Sequence, residues 1–159
     1  MRNRLLALTA ALLVAIILPA AVFAHWPVAS RYSYVSQGYW SGHRAYDLAA
    51  PAGTPVVPIR SGKVIFAGWK NNCGGYQVWV SHGNGLYTAY YHLSKITSWR
   101  GEAVRDQVTR IGRVGRSGCA TGPHTHTEVW RGRPWASGSY RVNPWKYIDG
   151  GTYLPYRYR

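Results

Sequence analysis

His124 and His126 flank a single threonine in the stretch GPHTHTEVW. On an extended strand, residues i and i+2 point to one face with Cα atoms about 6–7 Å apart. The two imidazoles then aim at one spot, and Glu128 continues the row. Each buried imidazole needs a hydrogen-bond partner, so a side-by-side pair makes a poor core but a good half of a metal site. A second half stands earlier in the chain, where His43 and Asp47 form HRAYD. Residues four apart on a straight strand are separated by about 13 Å. Imidazole nitrogen and carboxylate oxygen reach zinc at about 2.0–2.2 Å, so the chain must bend between His43 and Asp47 for both to serve one ion. Gly42, just ahead of the histidine, makes room for that bend. Alone, His43 reads as a surface-loop histidine and Asp47 as a turn or capping carboxylate. Asp47 is the more pointed of the two. It is one of only five acidic residues, it heads an apolar run, and a buried carboxylate needs a charged partner. His92, in AYYHLS, ends an expected strand and by itself reads as a hydrogen-bonded rim residue. His82 opens the turn HGNG and is read as structural, its ring bonded to the turn backbone.

The elements that must position these groups are strands. After residue 24 no segment holds a 3.6-residue apolar period for three turns. Short runs rich in Val, Ile, Tyr and Trp alternate instead with Gly, Pro, Asn and Ser clusters. Strands are expected near Tyr32–Ser36, Tyr46–Ala49, Pro55–Pro58, Gly62–Trp69, Tyr76–His82, Tyr87–His92, Thr109–Gly115 and His124–Trp130. In YQVWVSH, Tyr76, Val78 and Val80 share one face and Gln77, Trp79 and Ser81 the other. The turn at 82–85 joins the Tyr76–His82 and Tyr87–His92 runs as a hairpin. The fold class is therefore all-β, a small domain of packed antiparallel sheets. The tail from Asn143 has no clear period and is read as wrapping the domain or carrying a wall-binding surface.

The first residues, Met1 to Arg4, are basic, and a largely apolar run follows from Leu5 to Ala24. This is the pattern of a secretory signal peptide cut between Ala24 and His25, or of an uncleaved anchor of membrane-spanning length. Pro19 and the small residues after it favour cleavage, and both readings place the rest of the chain outside the cytoplasm. Residues 25–159 are then a single domain large enough for a hydrophobic core. The chain carries 19 basic and 5 acidic residues, a formal charge of +14, and loss of Arg2 and Arg4 lowers this by two. An exported protein this basic is drawn to polyanions, which outside a cell are anionic wall polymers and lipid head groups more often than nucleic acid. Cys73 and Cys119 are the only cysteines. In an oxidising compartment an even count favours a disulfide, while Cys119, five residues before His124, keeps metal ligation open as the other reading.

Taken together, these motifs give the sequence its resemblance. It resembles the lysostaphin-type (LytM-type) zinc metallopeptidases from about Gly38 to Tyr147. The matching blocks are GHRAYDLAAPAGTPVVPIRSGKV, GGYQVWVSHGNGLYTAYYHLS and IGRVGRSGCATGPHTHTEVWRGRPW, with NPWKYI trailing. The resemblance implies that His43, Asp47 and His126 hold one zinc ion with a fourth position open. It implies that His92 and His124 stand beside the metal as catalytic groups, on a lysostaphin-like β fold with a long substrate groove. It further implies cleavage of peptide bonds in peptidoglycan, in the stem peptide or the cross-bridge. Glu128, on the histidine face, is read as the acceptor that orients one ring, and Tyr39 as a further group for the oxyanion. Thr125 and Thr127 replace a usual leucine and a frequent aromatic residue; both are expected on the face opposite the imidazoles. Ala45 and Tyr46 replace a glycine usual between the first two ligands, and are expected to narrow or reshape the cleft.

Two rival readings stand beside the enzyme. A non-catalytic wall-binding regulator of other cell-wall hydrolases would lack one or more of the five residues, and this chain lacks none. A basic, aromatic-rich binding module would need no metal. The expected protein is a secreted or cell-envelope monomer. Its partners are peptidoglycan and anionic wall polymers; it meets a membrane only through a retained signal segment.

Overall fold

Strict alternation organises the centre of the molecule. Val78 and Val80 are completely buried on one face, while Trp79 packs with Ala89, Tyr91 and Trp130 on the other. The computed structural model describes residues 26–28 and 30–148; the expected signal segment and the tail beyond residue 148 lie outside them. Among the described residues the strands are β1 (Tyr34–Gln37), β2 (Tyr46–Ala49), β3 (Pro55–Val56), β4 (Gly62–Lys70), β5 (Gly75–Ser81) and β6 (Leu86–Leu93). Beyond these come β7 (Lys95–Ile96), β8 (Ala103–Val104), β9 (Gly112–Arg113), β10 (His124–Arg131) and β11 (Tyr140–Val142). Two 3-10 turns, Ser30–Tyr32 before β1 and Pro144–Lys146 after β11, flank them. No helix among the described residues is long and apolar enough to cross a membrane.

The larger sheet runs β1-β2-β10-β6-β5-β4-β8, with β11 also on β10, and a small sheet runs β3-β9-β7; every pairing is antiparallel. The main core, with Leu48, Val78, Val80, Tyr90 and Val129, fills the space toward the small sheet, where Val56, Ile96, Ile111 and Val114 meet it. The opposite face of the large sheet carries His124 and His126. β5 and β6 form the expected hairpin, and its turn holds Gly83, Asn84 and Gly85 all at positive φ, a conformation that glycine adopts without strain.

Two expectations are corrected. The run Thr109–Gly115 is not one strand, because only Gly112 and Arg113 form a ladder. Around them Ile111 and Val114 donate to Val56 and Thr54, while Thr97 and Ser94 donate to Ile111 and Arg113, so an extended chain is shared between irregular neighbours. A Cβ on Gly115 would lie 2.2 Å from Ser94 N, which explains the glycine there. The strand expected from Tyr32 starts at Tyr34 instead, after a 3-10 turn. Of the tail, Asn143 caps the turn Pro144–Lys146 by accepting from Trp145 N, and Ile148 enters the core.

Candidate metal centre

β10 enters the sheet between β2 and β6 and sets His126 directly opposite Asp47 on one side and Tyr91 on the other. Residues opposed in an antiparallel pair share a face, so two metal donors 79 positions apart meet through ladder register alone. His43 arrives differently. A tight turn closes by reciprocal Trp40–His43 backbone bonds, the chain bends at Ala45, and the His43 ring folds back over β2. His43 Nε2 then lies 3.2 Å from Asp47 Oδ2 and 3.3 Å from His126 Nδ1, while His126 Nδ1 lies 2.8 Å from Asp47 Oδ1. Among the described residues, His43, Asp47 and His126 are the set whose donor atoms all lie within 4.8 Å of one another.

Each ring is fixed by its second nitrogen. His43 Nδ1–H donates to Gly38 O at 2.9 Å, leaving Nε2 for the centre. His126 turns Nε2 toward Glu128 Oε1 at 3.4 Å, leaving Nδ1. This arrangement, a ligand imidazole backed by a carboxylate, fixes the tautomer and raises donor strength. Glu128 is only 2% exposed. It also accepts from Tyr91 Oη at 2.6 Å, Trp130 Nε1 at 2.8 Å and Arg141 Nη1 at 2.8 Å.

The electrostatics follow from these contacts. Burial alone would raise the carboxyls of Asp47 and Glu128, but the His126 hydrogen bond and charge outweigh it and hold both below their ordinary values. Burial works against charge on His126 too, yet its two carboxylate partners raise it to about 9. The Tyr91 hydroxyl is pushed well above its ordinary value, first by burial and then by Glu128, so it stays a donor.

His92 and His124 stand beside this set. His124 is on the same strand face as His126, and its Nδ1–H donates to Gly122 O at 2.9 Å. Its Nε2 lies 3.9 Å from Asp47 Oδ1. Strict alternation after Tyr91 would send His92 into the core. Instead Tyr76 pairs with Leu93 and Val78 with Tyr90, so Gln77 alone faces both Tyr91 and His92. This bulge, with His92 at φ 63, turns the imidazole back to the metal side. There its ring sits 4.8 Å from that of His124, and Nδ1–H donates to Ser117 O at 2.9 Å. Burial lowers the His92 ring to about 4, keeping it neutral at pH 7. Ser117 and Gly122, whose carbonyls hold the two rings, flank Cys119. A Cys73–Cys119 disulfide ties their loop to the β4–β5 turn, which removes both cysteines from the reading as metal ligands. A depression of about 200 Å³ opens beside the centre, walled by Asn72, Gly74, Tyr91, His92, Trp135 and Arg141.

The remaining expectations divide. Thr125 and Thr127 do face the core and are completely buried. Tyr46 does not narrow the cleft: it pairs with Thr127 on the core face and stacks on Trp26 at 6.0 Å. Tyr39 is half-buried and makes no hydrogen bond among the described residues. His82 is structural, but its partners are Ser61 O and Thr88 Oγ1 and not its own turn. Sequence reasoning missed Tyr91, Trp130 and Arg141 around Glu128. Tyr91 and Trp130 were within reach, since Trp130 continues the 124–126–128 alternation and Tyr91 precedes His92; nothing in the sequence marks Arg141.

Three converging donors with an open approach, on the face of an antiparallel sheet, define a β domain built around a candidate metal site. The sequence profile of peptidase family M23 matches residues 41–144, and the chain belongs to that family, whose members include peptidoglycan-hydrolysing peptidases. Peptidoglycan DD-endopeptidase ShyA of Vibrio cholerae is 43% identical over 93 residues, which is 58% of this chain and 21% of that protein. The structure of the antimicrobial peptidase lysostaphin from Staphylococcus simulans superposes with a TM-score of 0.69 at 30% identity, covering 84% of this chain and 58% of that one. A zinc-containing peptidase from Vibrio cholerae gives 0.67 at 29% identity, covering 84% and 41%. The chain thus spans about a fifth of the length of ShyA.

Proposed function

We propose that this chain is an exported zinc metalloendopeptidase that hydrolyses peptide bonds of peptidoglycan. The observation that carries the reading is the pairing of a three-donor set at His43, Asp47 and His126 with two further imidazoles whose free Nε2 atoms face it. Two imidazole nitrogens and one carboxylate suit zinc, His126 releasing its extra proton as the metal binds, and each histidine donor has its other nitrogen occupied by a fixed partner. Bound there, zinc supplies Lewis acidity that activates a water and polarises the scissile carbonyl. The protein's own part is proton transfer and positioning. The Ser117 and Gly122 carbonyls hold the proton on Nδ1 of His92 and His124, so Nε2 is the nitrogen each ring has left to accept one. One Nε2 takes the proton of the attacking water. The pair then steadies the oxyanion and delivers that proton to the departing amine nitrogen as the C–N bond breaks. Glu128 keeps the His126 ring oriented throughout. The names of the relatives, a peptidoglycan endopeptidase and lysostaphin, support the wall peptide as substrate.

Replacing His126 or Asp47 with alanine is expected to abolish zinc retention, measured as metal content of the purified protein. His92→Ala is expected to keep its zinc and lose digestion of purified sacculi. A His92→Ala protein that released wall fragments at the parent rate would overturn the mechanism.

A further inference from the structure

The metal-side face of the large sheet can be read in rows of opposed residues. Tyr91, His126 and Asp47 form the row at the centre; Phe66, Trp79, Ala89 and Glu128 form the next; Lys63, Ser81, Tyr87 and Trp130 form the third. Successive rows are two residues apart, about 7 Å, and neighbouring strands are about 4.8 Å apart. Lys63 therefore lies roughly 14 Å along the strands and roughly 14 Å across them from His126, about 20 Å in all. At this third row the face opens into a cavity of about 500 Å³ lined by Lys63, Ser81, Tyr87, Arg100 and Arg133. Three cations of different origin converge here, from β4, from the turn before β8 and from the loop after β10. The side chains of these three have no ion-pair or hydrogen-bond partner among the described residues. The carboxylates among the described residues have other partners. Glu102 accepts from Trp99 N, Asp106 from Ser61 Oγ, and Asp47 and Glu128 belong to the metal centre. Ser81 and Tyr87 are half-buried hydroxyl groups in the same wall.

We propose that this cavity is an anion subsite, which holds a carboxylate or phosphate oxyanion of the wall polymer while the peptide lies over the metal centre. Rows on one face link the two, and about 20 Å corresponds to about six residues of extended peptide. Arginine presents paired N–H groups that match an oxyanion, and lysine adds a point charge. The inference rests on the proposed wall substrate, but its test does not depend on hydrolysis.

Binding to purified sacculi is measured by co-sedimentation with chelator present, so that no wall is digested. The comparison is between K63Q/R100Q/R133Q and a control of equal charge loss at exposed residues, K95Q/R105Q/R110Q. The expected result is at least a tenfold weaker affinity for the first variant than for the control. Sacculi stripped of phosphate polymers by acid, and sacculi with carboxylates amidated, identify the source of the anion: the difference between the variants collapses on whichever lacks it. Equal affinity of the two variants, or a difference that survives both treatments, overturns the subsite. If the parent protein binds sacculi in this variant-dependent way but releases no fragments once zinc is restored, the peptidase reading falls and the anion subsite stands.

Discussion

Glu128 shows how much a single residue at this centre has to do. It meets His126, Tyr91, Trp130 and Arg141 at once, so its charge sets the donor strength of His126. Glu128→Gln keeps the shape and removes the charge. Zinc affinity, measured by competition with a chelator, is expected to fall about 10–100-fold while circular dichroism stays unchanged. A second residue, His82, governs a pH response away from the metal. Its Nδ1–H donates to Ser61 O and its Nε2 meets Thr88 Oγ1, whose hydroxyl donates to Tyr90 Oη, which also accepts from Ile59 N. Burial among these groups disfavours a second proton and lowers the ring to about 4. The unfolded ring binds its proton near 6.5, so the unfolded state takes up more protons between these values. Stability is therefore complete above about pH 6.5 and falls as pH drops toward about 4, by on the order of 3 kcal/mol. Urea midpoints of the parent across this range should show that slope together with the one from His92, also lowered to about 4, and His82→Gln should make it shallower without abolishing it. The sequence revealed the metal donors because their types are rare and their spacings distinctive. It concealed Arg141, whose role depends on β11 folding back onto β10.

Whole strands matter through register and alternation. Pairing of β2 with β10 was not visible in the sequence, though both strands were, because ladder partners 79 positions apart leave no local trace. His92 was legible as a histidine in the right block, but not as a bulged residue, since alternation alone points it into the core. The short strands β7, β8 and β11 were missed for a related reason: two or three residues carry too little periodicity to read. The disulfide acts at this scale as well. By closing 46 positions it stabilises by up to about 4 kcal/mol, and it anchors the loop whose carbonyls hold His92 and His124. A Cys73→Ala/Cys119→Ala protein is expected to melt lower and to digest sacculi more slowly while retaining zinc. Thr127, completely buried on β10, has a hydroxyl with no hydrogen-bond partner among the described residues. Thr127→Val should therefore stabilise by about 1 kcal/mol, read as a rise of a few degrees in melting temperature.

At the scale of the molecule, charge separates into two zones. Two of the five carboxylates sit at the metal centre, and the many cations elsewhere lie on the surface with few counter-charges. Attraction to an anionic wall is then long-ranged and screenable, and raising salt from about 0.05 to about 0.5 M should weaken sacculus binding many-fold. The position of β10 has a temporal consequence. A nascent chain that has emerged only as far as Pro123 already contains β2 and β6 but nothing to bridge them, so the middle of its main sheet is a slot with two open hydrogen-bonding edges. Until the final long strand fills that slot, His43 and Asp47 have no third donor. The same insertion that heals the sheet therefore completes the three-donor set, and a half-made copy of this protein lacks the centre on which the proposed activity depends.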